Sequence, residues 1–556
     1  MQSRVVFHVE WLKVGGAALV FAACGGGAAL PAEQTGAHSG TSSGGVAAAG
    51  SPAAGGRSQV TGSGGNPGPA AGASAGQNSA ASGSTSYGGA PSGSESDSGG
   101  GNPGGGNPGG GNPGGSAGGS GGGSDAPLPP SVTSLFPKPG ASGVCVDVPL
   151  TMTFATAPSI GSKGTIAIYS TQNPNTAVDQ IDIAAASYSD TIGGQTKNLV
   201  RPVFIEGTSA VIYFRSHKLS ANTSYFVSVS AGTFVDAQKK AIGTVSERAA
   251  WSFSTGAVPA ASASMAVNRT GNGGFCTVQG AFDALPSNDS SARTITVASG
   301  NYYELLLLSN KKNLTLRGAD RATTVIRYPN NENLNGGTSG RPLFFANGTS
   351  DLTIQNLTLY NTTPQGGGQA EALRVQAERV TVRDVNLKSL QDTLLTGGSV
   401  YVVNSYLEGN VDFVWGTGPT YFDRCEIKTV GRAGAIVQAR NGAAGYGYVF
   451  VDSKITADAT VTGQVLARID ATVYPASNVA FLNCQMSSAI AAKGWTITPT
   501  GTSATDQLRF WEYQSTDAQG ALLDVAGRDR ASKQLSASQA ANLRDKATVL
   551  GGWNPQ

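Results

Sequence analysis

The chain is predicted to be all-β, with a parallel β-helix over its C-terminal three hundred residues, a β-sandwich before that, and a long unstructured linker before both. Three observations carry this. Segments LTIQNLTL, VTVRDVNL, VYVVNSYL, TYFDRCEI, YVFVDSKI and NVAFLNCQM repeat one template of alternating apolar positions closed by a polar residue, at Asn356, Asp384, Asn404, Arg424, Asp452 and Asn483. Their irregular spacing suits a right-handed coil of short strands with variable loops, whereas an antiparallel sandwich needs hairpin turn signals that these intervals mostly lack. Upstream, the runs PLTMTF, AVIYF, SYFVSVS and AAWSFST alternate at sandwich-like intervals. Further upstream the composition collapses to Gly, Ser, Ala and Pro.

The elements follow in order. Residues 1–24 combine Arg4 and Lys13 with a short apolar run ending in FAAC at Cys24. The run is too short to cross a bilayer, which needs roughly 20 apolar residues. It resembles a bacterial export signal with a lipobox, which implies lipidation of Cys24. Gly25 after the cysteine implies outer-membrane sorting, the alternative being simple secretion. Residues 25–127, with GNPGG repeated between 101 and 115, offer little to bury and are expected to stay disordered as a tether. Residues 128–256 resemble bacterial Ig-like domains, read as a spacer or weak carbohydrate-contacting module. Here His217 stands alone and reads as a surface or capping residue. The β-helix takes residues 257–556, with LTLRG at Gly318 opening its series.

Composition excludes several functions. Net charge is +2 and charged residues make up 13% of the chain, arguing against a nucleic-acid partner. Five cysteines are few for a disulfide scaffold. Cys425 and Cys484 fall in one column two coils apart, roughly 9–10 Å at about 4.8 Å per coil, too far to be bridged, so both are expected reduced and buried. None of the three histidines lies in 257–556. A Ser-His-Asp hydrolase or a His-ligated metal site is therefore excluded from that domain, and carboxylates, Arg and amides must do any chemistry.

The template singles out two carboxylates. Asp392, in SLQDTLLTGG, lies at the same offset past Asp384 that Asp412, in LEGNVDFVWG, lies past Asn404. They are expected to stack on one face in neighbouring coils, with pKa values pushed apart into one neutral acid and one carboxylate. Such a pair can supply a general acid and a nucleophile. A purely structural Asn/Asp ladder would use the same residue types.

Four ordered motifs then resemble the pectinesterase family of carbohydrate esterases across about 264–555. The opening NRTGNGGFCTVQGAFDALP with ITVASGNYYELL places Gly300, Tyr303 and Glu304; QAEALRV, SLQDTLL and GNVDFVWG follow, VQAR at 437–440 resembles a further block, and CQMSSAIAAKGW followed by FWEYQSTDAQGA matches the tail. The resemblance implies that Asp412 is the nucleophile on a galacturonate methyl ester and Asp392 the acid and then the base. It implies that Gln391 and Gln369 donate to the oxyanion, that Arg468 pairs with Asp412, and that no metal or cofactor is needed. Phe413, Trp415 and Asp470 would line the substrate groove. One segment departs from the family: LARID (466–470) keeps Arg468 but places Asp470 where a tryptophan is usual, which puts the sugar subsite in question. The expected partner is pectin or a related polysaccharide, handled by a monomer anchored to the outer membrane. Rival readings are a non-catalytic polysaccharide-binding relative, or an esterase for another acyl ester or thioester.

Overall fold

The computed structural model describes residues 127–271, 274–500 and 507–556. Cys24 and most of the Gly/Ser/Pro linker lie outside them. The first described domain is a sandwich. One sheet orders Val132–Phe136, Leu150–Phe154, Ser209–Ile212 and Val203–Glu206 antiparallel; the other orders Ala141–Val144, Ser252–Thr255, Ser224–Val229, Thr165–Ser170 and Ala177–Asp182. Alternation does the sorting: Leu150, Met152 and Phe154 are buried while Thr151 and Thr153 between them are not. Trp251 is wholly buried between the sheets, its indole N–H donating to the Pro137 carbonyl at 3.0 Å.

From Ser264 onward the chain winds into a parallel β-helix. Its central coils carry β1 (Phe344–Gln355), β2 (Leu373–Arg383), β3 (Leu394–Thr396), β4 (Val400–Val403), β5 (Val414–Gly416), β6 (Thr420–Asp423), β7 (Ala435–Ala439) and β8 (Val465–Asp470). All pair parallel: β2 on β1, β3 and β4 on β2, β5 on β3, β6 on β4, β7 on β5 and β8 on β7. Inside, like stacks on like. Phe422, Phe450 and Phe481 stack with centroids 4.3 and 4.6 Å apart, and the row continues through Trp495 to Phe510.

The polar column of the template has a backbone cause. Asn356, Asp384, Asn404, Arg424, Asp452 and Asn483 all adopt positive φ, between 49° and 56°, and turn the chain from one sheet into the next. Asn and Asp tolerate that left-handed region better than other side chains. The ladder continues through the turn, the N–H of Asp384 donating to Val403 O and that of Asn404 to Asp423 O, both at 3.1 Å. Gly318 occupies the same column, and a Cβ there would lie 2.1 Å from Asn356 O. Cys425 and Cys484 are free and buried, with Ser453 of the intervening coil between them.

The first coils and one face of the solenoid are covered. Helix α1 (Val278–Asp283), N-capped by Thr277, packs Val278 and Phe282 against the first coils. Along one face α2 (Ala537–Arg544) and α3 (Lys546–Val549) lie over Tyr401, Tyr421 and Val449, outward-facing side chains of the sheet. That cover explains why β4 and β6 are buried on both faces.

The sandwich is not a detached spacer. Phe204 stacks on Tyr303 at 4.1 Å, Tyr328 donates to Val200 O at 3.0 Å, and Lys197 reaches the carbonyls of Ser339 and Gly340. A disulfide joins Cys145 to Cys276, and His217 pairs with Asp283 at 3.2 Å. Tyr303 therefore serves the join between domains, and Glu304 serves the start of α1. Glu304 accepts from the N–H groups of Val278 and Gln279 at 3.1 and 2.9 Å, at the start of α1.

Candidate active site

The register of the coils decides the site. Leu373 pairs with Leu394 and Leu394 with Val414. Two residues before each stand Glu371, Asp392 and Asp412, so three carboxylates, one per coil, form a column ahead of β2, β3 and β5. Asp392 and Asp412 have φ of 67° and 48°, turn geometry that an Asp accepts. All three are buried. Buried carboxylates need donors, and arginines supply them from both sides.

On one side, Arg468 of β8 forks onto Asp412: Nε donates to Oδ1 at 2.7 Å and Nη2 to Oδ2. About half of the Arg468 side chain remains exposed. On the other side Arg341 is buried. Its Nε donates to both oxygens of Glu371 at 3.0 Å, its Nη2 to Glu371 Oε1 at 2.9 Å and to Asp392 Oδ2 at 3.0 Å, and its Nη1 to Glu332 at 2.7 Å. Asp392 has the least compensation for its burial. Burial and then the neighbouring Glu371 charge push its carboxyl up to about 8, against the opposing pull of Arg341, with Asp412 adding to the rise. The pair therefore offers a neutral acid beside an ion-paired carboxylate at neutral pH, which is what acid-assisted nucleophilic displacement at a carbonyl requires.

Gln391 and Gln369 sit on adjacent coils beside this column. Val411 bridges to Gln391, and the Ala370 N–H donates to Gln391 O at 3.1 Å. Both side chains are half-buried, and neither amide has a partner among the described residues. Trp415 of β5 lies flat under Arg440, whose guanidinium is 4.7 Å from the ring centroid, with only 6% of the residue exposed. Arg440 is braced by Gln438 Oε1 through its Nε at 3.1 Å. Asp470 is exposed on β8, two residues beyond Arg468 and on the same outward face.

Phe413 is a correction. It is wholly buried in the interior of the helix, where its Cβ would crowd any side chain at position 409, and it cannot line a substrate groove. Asp412 turns its carboxylate out to Arg468 while the next side chain packs inward. The repeat does not single out Arg341, Glu371, Glu332 or Arg440. Glu371 had a signal, a charge inside the apolar frame of QAEALRV; Arg341 sits in a loop with no repeat to place it. A cavity of about 370 Å³ lies elsewhere, at the join of the two domains, lined by Tyr188, Phe204, Tyr213, Tyr303, Glu304 and Tyr328. None of Asp392, Asp412 or Arg468 borders it, and the chemistry is placed by the carboxylate column.

A family model described as pectinesterase matches residues 264–543, and one described as a bacterial Ig-like domain matches 127–255. Pectinesterase 31 of Arabidopsis thaliana is 28% identical over 242 residues, 41% of this chain and 75% of its own length. Probable pectinesterase A of Aspergillus niger is 28% identical over 293 residues, 50% of this chain and 84% of its own. Among solved structures, a pectin methylesterase from Erwinia chrysanthemi aligns with TM-score 0.46 at 23% identity, over 53% of this chain and 99% of that one. One from Aspergillus niger aligns with TM-score 0.45 at 27% identity, over 53% and 95%. With a match that runs across half of the chain and includes every coil of the carboxylate column, this protein belongs to the pectinesterase family.

Proposed function

We propose that the chain hydrolyses methyl esters of galacturonan, the backbone of pectin, with Asp412 as nucleophile and Asp392 as acid and then base. The observation that carries this reading is the in-register pair, one carboxylate forked by Arg468 and the other walled in and neutral near pH 7. An Asp412 oxygen attacks the ester carbonyl carbon, and the carbonyl electrons move to its oxygen, toward the amide N–H groups of Gln369 and Gln391. Collapse breaks the bond to the methoxy oxygen, which takes the Asp392 proton and leaves as methanol. The acyl group is then joined to Asp412, and Asp392 is a carboxylate. Water attacks the acyl carbon while Asp392 takes its proton, releasing the galacturonate carboxyl and restoring both groups. The balance is ester plus water to acid plus methanol.

The test is methanol release from methyl-esterified pectin by the full chain. Asp412→Asn and Asp392→Asn should each lower kcat at least about a thousandfold without unfolding the protein. Wild-type turnover in either variant would remove the mechanism. Gln391→Ala and Gln369→Ala, each losing one oxyanion donor, should cost about a hundredfold or more.

Residues 1–126 carry the rest of the reading. The basic leader and FAAC support a lipid on Cys24 and an outer-membrane location, with the Gly/Ser/Pro segment as a tether.

A further inference from the structure

The third carboxylate of the column has no part in the chemistry above. Glu371 is completely buried, and both of its oxygens accept from Arg341. A buried ion pair in itself is weak evidence for stability, since apolar side chains of similar volume would often do as well. Its placement is the informative feature. The pair stands one coil from Asp392, and a single Arg341 nitrogen, Nη2, is shared between Glu371 Oε1 and Asp392 Oδ2.

We propose, resting on the reading of Asp392 as the acid and base, that Arg341 and Glu371 form a positioning clamp that fixes which oxygen of Asp392 delivers the proton and sets the pH at which it does so. Arg341 occupies Oδ2, so the proton of a neutral Asp392 sits on Oδ1. Glu371 accepts three of the five hydrogen bonds that Arg341 donates and adds its own charge, leaving Asp392 less stabilised as an anion than an undivided arginine would make it. Asp392 then begins the cycle protonated and can still take a proton from water in the second half.

The charged groups facing Asp392 come from several elements. Glu371 precedes β2, Arg341 precedes β1 and is backed by the partly exposed Glu332, Asp412 lies on the next coil, Arg440 follows β7, and Arg468 belongs to β8. Of the carboxylates, Glu371 exerts the larger raising effect on Asp392 and Asp412 the smaller. Neutralising Glu371 therefore lowers the pH at which Asp392 ionises.

The experiment is the pH dependence of kcat for methanol release from methyl-esterified pectin, corrected for spontaneous hydrolysis, with full-length wild type, Glu371→Gln and Asp392→Asn. Loss of the Asp392 proton should set the alkaline limb in wild type. Glu371→Gln should move that limb toward acid by about one pH unit, with KM changed less than about twofold. An unmoved limb in a folded Glu371→Gln protein, with Asp392→Asn inactive, overturns the clamp and leaves the catalytic reading standing. Wild-type turnover in Asp392→Asn overturns both. Should Glu371→Gln fail to fold, the paired substitution Arg341→Met with Glu371→Met replaces the ion pair by apolar volume. It should lower kcat by about tenfold or more at unchanged KM. Wild-type kcat in that folded protein also overturns the clamp.

Discussion

Asp392 and Asp412 are the same residue on neighbouring coils, and their surroundings assign them different work. Asp412 meets a half-exposed Arg468 that forks onto both of its oxygens, whereas Asp392 shares one nitrogen of Arg341 with Glu371. Raising a carboxyl from 3.8 to about 8 has a thermodynamic consequence as well as a catalytic one. The folded state holds a proton that the unfolded chain would release. The stabilisation this gives is complete below the unfolded value and is lost as pH rises through about 8. Asp392→Asn, which cannot titrate, is predicted to lose less melting temperature than wild type between about pH 5 and pH 9. Parallel melting curves across that range would contradict the buried, neutral Asp392. Asp470 argues at the same scale. Its carboxylate accepts from the Thr472 hydroxyl and N–H, which hold it below the usual carboxylate range, so it is ionised on the face that Arg468 shares. Anionic, already de-esterified galacturonate units should be repelled there, and salt should screen the effect. The expected result is a rate on partly de-esterified pectin that rises with ionic strength, a rise that Asp470→Asn should abolish. Identical salt responses in the two proteins would show that this side chain does not read substrate charge.

The coil elements depend on the left-handed turn between sheets. At Asn404, φ is 49°, a conformation that costs about 1–2 kcal/mol for an ordinary L-residue and more for a β-branched one. Asn404→Val should therefore lose about that much stability, while Asn404→Gly stays close to wild type; chemical denaturation measures both. Equal losses would mean that the side chain, not the backbone, matters at this position. The interior ladder is more demanding. Phe450 is wholly buried between Phe422 and Phe481, and truncation to Ala should cost about 3–5 kcal/mol through lost burial and the cavity left behind.

At the scale of the molecule, the sandwich and the solenoid are built as one body. The Cys145–Cys276 disulfide spans 131 residues of sequence. Constraining so long a loop in the unfolded chain is worth up to about 5 kcal/mol in the chain-entropy account. Replacing both cysteines by Ser should lower the melting temperature markedly and make it insensitive to reductant, and an unchanged melting temperature would show that the interface alone holds the domains. Beyond the described residues, Cys24→Ser should release the protein from the membrane fraction with activity on soluble pectin intact. Failure of the wild type to incorporate labelled fatty acid would refute the anchor.

Periodicity was enough to read the architecture. Alternating apolar positions closed by a polar turn residue repeat only where coils stack, and equal offsets from that turn place Asp392 and Asp412 together from sequence alone. The amides and Arg468 came from motif resemblance, because nothing in their local pattern marks them. What only the tertiary structure decided is the environment of the pair. Arg341 reaches the column from an irregular loop, and Glu371 joins it through the register of β2 with β3, a relation between coils that the repeat does not spell out. Phe413 shows the opposite limit: adjacent in sequence to Asp412, it packs wholly buried in the core while the carboxylate turns out to Arg468. Local pattern fixes which residues a coil presents, since it depends on near neighbours along the chain. The proton affinity of a carboxylate depends on charges and solvent brought close by folding, and those come from residues distant in sequence.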